Sequence, residues 1–333
     1  MVGEELRFFV SRVNDVLNSR PYRPELETPY LCLNPYYKVH LTEGADVRYL
    51  LDSGAFQDVK GNRMSYEDAL ERQLKFEKTV GRQAYAIVSY DHLVDEQMID
   101  GKQTKRRVSK EIGEKYVEHT LEAAEYLVSR RDELGDRKLV LSCQGSDTDQ
   151  YLDCLEQVIA LAKPGDIIGL GGYCILSKSK SYEEQYYSVL REGFPMIRDA
   201  GINRVHVFGM GVFRALVQTD VFGRMNGIDC SYDTSAAEVN AVFGNSFNPV
   251  HAQMSKVFDK IHKNRGYYSA DLAMLNVRLI NNYWEEVGRM PLPENFVPSM
   301  RNRSAYLPRN IPRVPIASCT PLPTPWRASR SLA

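Results

Sequence analysis

Leu50-Leu51-Asp52-Ser53-Gly54-Ala55-Phe56-Gln57 is the stretch that decides how this chain folds. A β-type apolar run (47–51) ends there and at once delivers an acid, a small hydroxyl, two tiny residues, an aromatic ring and an amide. A turn in which Asp52 caps backbone amides is the purely structural explanation. The alternative is a ligand wall, with Ser53-Gly54-Ala55 admitting a flat molecule close to the backbone, Phe56 offering a face and Gln57 an amide. The pattern then recurs along the chain. Further β-like runs at 30–33, 84–89, 138–142, 166–170, 204–208 and 225–230 alternate with helical stretches at 65–79, 105–131, 149–162, 182–200 and 212–221. Strand ends carry Asp52-Ser53-Gly54, Tyr90-Asp91, Gln144-Gly145, Gly171-Gly172, Gly209-Met210-Gly211 and Ser231-Tyr232-Asp233. An open doubly wound sheet needs such residues only at its switch point, whereas a (β/α)8 barrel collects them at every C-terminal strand end. The expected fold is therefore an α/β barrel of the TIM type.

Working outward, 333 residues are enough for one large barrel, assigned here to 1–290 with helical embellishments. Helices are also expected over 250–287. From 291 to 333 the chain becomes a Pro/Arg-rich extension; its last part, 297–333, holds seven prolines, six arginines and no acid. That composition excludes a regular helix or central strand and leaves either a packed tail or an arm for phosphates. The start, 1–17, mixes charges into every apolar run and reads as an amphipathic helix, not a signal peptide. With 43% hydrophobic residues and a formal net charge of -1, the chain reads as a cytoplasmic globular protein without a membrane span. Six cysteines are scattered without a C-x-x-C, and six histidines without H-E-x-x-H, so no metal or other cofactor is expected.

Taken in order, the strand ends assemble a site of purine size. Asp52 and Asp233 are carboxylates on separate strands, Asp91 and Gln144 suit a Watson–Crick edge, and Phe56 and Phe208 suit a flat ring. The segments LLDSGAFQ, IVSYD, LSCQG, GLGGY, VHVFGMG and GIDCSYD resemble, in order, the motifs of the tRNA-guanine transglycosylase superfamily, whose members exchange guanine for a 7-deazaguanine in nucleic acid. The resemblance runs from about Leu50 to Asp233 and more weakly through 272–287. It implies that Asp52 is the general acid/base and that Ser53, Phe56 and Gln57 lie beside the base. It also implies that Asp91 and Gln144 recognise the base, with Gly171, Gly172 and Tyr173 supplying backbone groups and Phe208 a stacking ring. The nucleophile it implies is Asp233, at the cost of one inserted residue, with Asp229 as the rival.

Departures from that pattern are informative. Beyond Cys230 only Cys319 remains, and Asp271 stands near the position of the zinc histidine, so the zinc subdomain of the tRNA enzymes is absent or replaced. Leu176-Ser177 stands where many members carry a glutamate. The resemblance is therefore greatest to the DNA-modifying branch of phages and bacterial modification systems, with DNA and a preQ0-like free base as partners. A zinc-less tRNA enzyme and a non-catalytic nucleic-acid-binding subunit are the alternatives, and a homodimer or modification-system proteins are further partners. Lys105, Arg106 and Arg107, just after the Asp91 strand end, are the candidate phosphate contacts; a solvated helix start is the plainer explanation.

Overall fold

The computed structural model describes residues 8–12, 16–17, 20–58, 63–95, 98–99, 102–104, 106–176, 179–257 and 269–302. Eight parallel strands close into a barrel: β1 (Phe8–Arg12), β2 (Tyr30–Leu33), β3 (Arg48–Leu51), β4 (Ala86–Val88), β5 (Lys138–Cys143), β6 (Ile167–Leu170), β7 (Arg204–Val207) and β8 (Asp229–Thr234). Each strand pairs with its neighbours in sequence, and β8 closes on β1 with Phe9 beside Asp233. This is the TIM-type (β/α)8 barrel read from the strand ends.

The helices outside are α1 (Tyr66–Val80), α2 (Lys110–Ser129), α3 (Thr148–Leu161), α4 (Lys180–Asp199) and α5 (Phe213–Met225), followed by α6 (Ala236–Val242) and α7 (Ser269–Arg289). Short polar side chains set several starts. Ser65, Ser109 and Asp147 accept the backbone N–H three residues on, at 3.1, 3.4 and 2.9 Å, removing an orphan donor from each first turn. Gly81, at φ 70, ends α1 in the left-handed conformation that an L side chain resists.

Strand alternation divides the core in two. Phe9, Cys32, Leu50, Ala86, Val88, Val140 and Ile167 fill the barrel interior. Their neighbours, among them Val10, Leu31, Leu51, Ile87, Leu141, Ile168 and Val207, face the helices. Tyr232 on the outer face of β8 stacks on Trp284 of α7, with centroids 4.8 Å apart, so apolar packing behind the strand sets where its inward residues stand.

Three expectations are corrected. Phe8–Arg12 is a buried strand and not part of an amphipathic helix; Phe8, Phe9 and Val10 are all buried because a parallel barrel strand is covered on both faces. The last barrel strand begins at Asp229, since α5 runs on to Met225. The stretch expected to be helical from 250 instead starts in an antiparallel hairpin, Asn245–Asn248 with Gln253–Lys256. Asn276 of α7 ties it down, accepting from Phe247 N at 2.9 Å and donating to Asn245 O at 3.1 Å. Beyond α7, Phe296 is buried and Arg191 donates to Pro298 O at 3.0 Å, so the chain to Asn302 runs against α4. The rest of the Pro/Arg-rich stretch lies outside the described residues, as does Lys105. Among the described residues no helix is long and apolar enough to cross a membrane.

Candidate active site

A cavity of about 340 Å3 opens at the C-terminal end of the barrel, within the roughly 300–1,000 Å3 range of small-ligand pockets. Ser11, Asn34, Asp52, Ser53, Phe56, Gln57, Asp91, Ser142, Phe208 and Asp233 stand on its wall. The common reason is parity: inward positions at successive strand ends converge on one volume.

Asp233, fifth residue of β8, is buried and held by three groups. Oδ2 accepts from Ser11 Oγ at 2.6 Å; Oδ1 accepts from Gly209 N at 2.8 Å and lies 3.2 Å from His206 Nε2. Gly209 needs to be glycine, because its φ is 60 and a Cβ would stand 2.5 Å from the Cys174 sulfur. Asp52, one residue past β3, accepts from Asn34 Nδ2 at 2.6 Å, and the same amide donates to Gln57 Oε1 at 2.8 Å. Burial, and then the charge of Asp233, push the Asp52 carboxyl up to about 6 against the Asn34 hydrogen bond. Asp91 is pushed up to about 7, first by burial and then by Asp52. Three strand-end carboxyls thus share one site in unlike environments, the arrangement that separates acid from base roles.

The Ser53–Asp58 loop is braced from behind. Arg72 donates to Ser53 O at 2.6 Å, pairs with Asp58 at 3.4 Å and lies over the Tyr36 ring at 4.2 Å. Gln73 donates to Leu51 O, Asp52 O and Val88 O at 3.0–3.1 Å, bridging the ends of β3 and β4. Ser53 turns inward and its hydroxyl reaches Asp91 Oδ1 at 3.4 Å. Phe56 is 41% exposed at the mouth, while Phe208 lies partly buried against His206, ring centroids 4.7 Å apart.

Other expected residues stand elsewhere. Asp229 is the first residue of β8, four positions below Asp233 and therefore roughly 13 Å down the strand at ~3.3 Å per residue. It is exposed and lines the opposite opening with Tyr85 and Arg204, so it does not meet the carboxyl cluster. Gln144 is fully buried and outside the cavity wall; its amide donates to Asp91 Oδ2 and its oxygen accepts from Val94 N at 3.2 Å. It positions Asp91. Gly171 and Gly172 pack against that amide, where a Cβ on Gly171 would stand 3.0 Å from it. Tyr173 points outward, buried between Tyr151 and Tyr186 at 5.3 and 4.6 Å. Arg107 is no surface cation: only 9% exposed, it donates to Gly172 O at 3.0 Å, Ser146 O at 3.2 Å and Gly145 O at 3.4 Å, as well as to Gln185. Those carbonyls lie in loops with no ladder partner, and a five-donor guanidinium is the group that satisfies several at once. Arg106 is exposed.

Sequence reasoning missed Ser11, Asn34 and His206. The alternation Val205-His206-Val207 carried a signal, since a polar residue between two β-branched apolar ones in a barrel strand points inward. Cys32 also reaches the cavity, but burial and the charges of Asp233 and Asp52 push its thiol far up, so it stays a neutral lining group. Among the described residues no group of three or more His, Cys, Asp or Glu could hold a metal ion. Comparison with protein-family models gives no match, and comparison with curated proteins finds no similar one.

Proposed function

We propose that the chain is a guanine transglycosylase that exchanges guanine in DNA for a preQ0-like 7-deazaguanine through a covalent Asp233–deoxyribose intermediate. The observation that carries this reading is the unequal pair of carboxyls. Asp233 is held in place by Ser11 Oγ and Gly209 N, which donate to its two oxygens, while Asp52, pushed up to about 6, holds and releases a proton near neutrality.

In the first step an Asp233 oxygen bonds to C1′ as the C1′–N9 bond breaks, through an oxocarbenium-like state, and the departing guanine takes the Asp52 proton. In the second, Asp52 removes the proton from N9 of the deazaguanine, N9 bonds to C1′, and the Asp233–C1′ bond breaks. The ionised Asp91 accepts from N1–H and the 2-amino group, with Gln144 holding its orientation. Phe56 and Phe208 contribute stacking, worth roughly 1–3 kcal/mol per base, against the cost of taking the nucleotide out of its stack. The preference for DNA rests on the sequence, which lacks the cysteine and histidine set of the tRNA enzymes.

The test is a denaturing gel after mixing the protein with DNA or tRNA, with exchange of labelled guanine measured alongside. A DNA adduct that Asp233→Ala abolishes and Asp229→Ala retains is the expected result. An adduct with tRNA alone overturns the choice of polymer. No adduct and no exchange with either polymer overturns the catalytic reading.

A further inference from the structure

His206 sits midway along β7 with no solvent exposure, and the chemistry above leaves it unused. Its Nδ1 lies 2.9 Å from Ser231 Oγ and its Nε2 3.2 Å from Asp233 Oδ1. Ser231 Oγ also lies 3.2 Å from Val205 O. A serine hydroxyl has one hydrogen and two acceptor lone pairs. When that hydrogen points to Nδ1, the neutral imidazole carries its proton on Nε2. When it points to Val205 O, the oxygen accepts from Nδ1–H. With Asp233 acting as a carboxylate, its Oδ1 has no hydrogen to give and accepts from Nε2–H, and Phe9 and Phe208, edge-on at 5.8 and 4.7 Å, fix the ring plane.

The two carboxylate oxygens of Asp233 are then unequal. Oδ1 carries two donors, Gly209 N–H and His206 Nε2–H, while Oδ2 carries the Ser11 hydroxyl. We propose that Oδ2 forms the bond to C1′ and that His206, with Gly209 N–H, holds Oδ1 and takes up the charge that returns to it when the carboxylate leaves the sugar. His206 is thus a positioning residue for Asp233; the inference rests on the base-exchange reading. As Asp233 attacks, charge leaves Oδ1, which becomes the ester carbonyl oxygen. As the incoming N9 bonds to C1′, the C1′–Oδ2 electron pair returns to the carboxylate and both donors strengthen. Loss of one such donor slows departure more than attack.

The experiment compares adduct formation and breakdown in the full chain, wild type against His206→Leu and His206→Gln, with circular dichroism to verify folding. His206→Leu is expected to form the adduct but release it about 10–100-fold more slowly, so that adduct accumulates while KM for the free base holds. His206→Gln places an amide N–H near the Nε2 position and is expected to restore most of the release rate. A wild-type adduct whose release is unchanged in a folded His206→Leu overturns this inference alone, as does a failure of His206→Gln to rescue. Nitrogen-15 spectra of the free wild type read the geometry without substrate, and an unprotonated Nε2 near neutral pH overturns the inference as well. Absence of any wild-type adduct overturns the base-exchange reading and this inference with it.

Discussion

Asp52 and Asp233 stand at the ends of β3 and β8, and the charge of Asp233 is second only to burial in pushing the Asp52 carboxyl up to about 6. Two like charges in one poorly solvated cavity do not ionise equally. Asp52 is the one pushed up, even though Asn34 and the backbone at Ser53 and Gly54 donate to it, while Asp233 accepts from Ser11 and Gly209. The same relationship that gives Asp52 a usable proton also destabilises the fold once that proton is gone.

That cost has a sign. A carboxyl raised from 3.8 to about 6 in the folded state favours folding below its unfolded value, and this advantage is lost as pH rises through about 6. Asp52→Asn removes an ionised, partly buried group and is expected to raise stability at pH 8 by about 1–3 kcal/mol, with no gain at pH 4. Urea denaturation at the two pH values checks this, and an equal effect at both contradicts the electrostatic origin. Under the proposed function, base exchange is expected to fall in the same variant, so that stability and activity move in opposite directions.

In the proposed reaction Asp91 links base binding to pH. It is raised to about 7, first by burial and then by Asp52, whereas the proposed guanine presents N1–H and amino donors that require the carboxylate. Affinity for free guanine or a soluble 7-deazaguanine is expected to rise about tenfold per pH unit between 5 and 7 and then flatten, with proton release on binding. Asp91→Asn removes the slope. Calorimetry in two buffers of different ionisation enthalpy measures both the affinity and the proton count, and a flat wild-type profile rules out Asp91 as the acceptor.

Gly54 tests how tightly the Asp52 loop is built. Its φ is 80, and a Cβ there would stand 2.8 Å from Arg72 Nη2 and 3.1 Å from the Tyr36 ring. Gly54→Ala meets backbone strain of about 1–2 kcal/mol and also displaces the guanidinium that holds Ser53 O and Asp58. A stability loss of about 2–4 kcal/mol and loss of base binding are expected. Denaturation midpoints and binding isotherms measure the two effects; intact binding means that Arg72 does not set the loop.

The barrel was legible wherever an apolar run ended in acid, amide or glycine, because both the strand and its chemistry are local in sequence. It was not legible at Phe8–Arg12, where a short apolar run lies among charges and its burial comes from closure against β8. The span of β8 was obscured because its inward residues are Asp229, Ser231 and Asp233, so only its outer face, with Cys230 and Tyr232, is apolar. Asp52, Asp91 and Asp233 could be read as strand-end acids. That Gln144 is spent on Asp91, and Tyr173 on two tyrosines, depends on partners 53 and 22 or fewer positions away in sequence, which no local pattern encodes.

Arg107 makes the sharpest contrast between sequence and fold. In Lys105-Arg106-Arg107 it reads as a phosphate contact, yet it stands 9% exposed with its guanidinium on loop carbonyls and lies 5.0 Å from the centre of the Tyr182 ring. A cation that neutralises one phosphate adds close to one unit to the slope of log K against log salt. Arg107→Ala is therefore expected to leave that slope unchanged for DNA, while costing about 2–4 kcal/mol of stability as the carbonyls of Gly172, Ser146 and Gly145 lose their donor. Exposed Arg106 is expected to behave in the reverse way, with Arg106→Ala lowering the slope by about one and leaving stability within about 0.5 kcal/mol. Binding titrations from low to high salt, paired with thermal melts, separate the two. If Arg107→Ala lowers the slope at unchanged stability, the guanidinium leaves its carbonyls to meet DNA, and the loop it straps is a moving part of the interface.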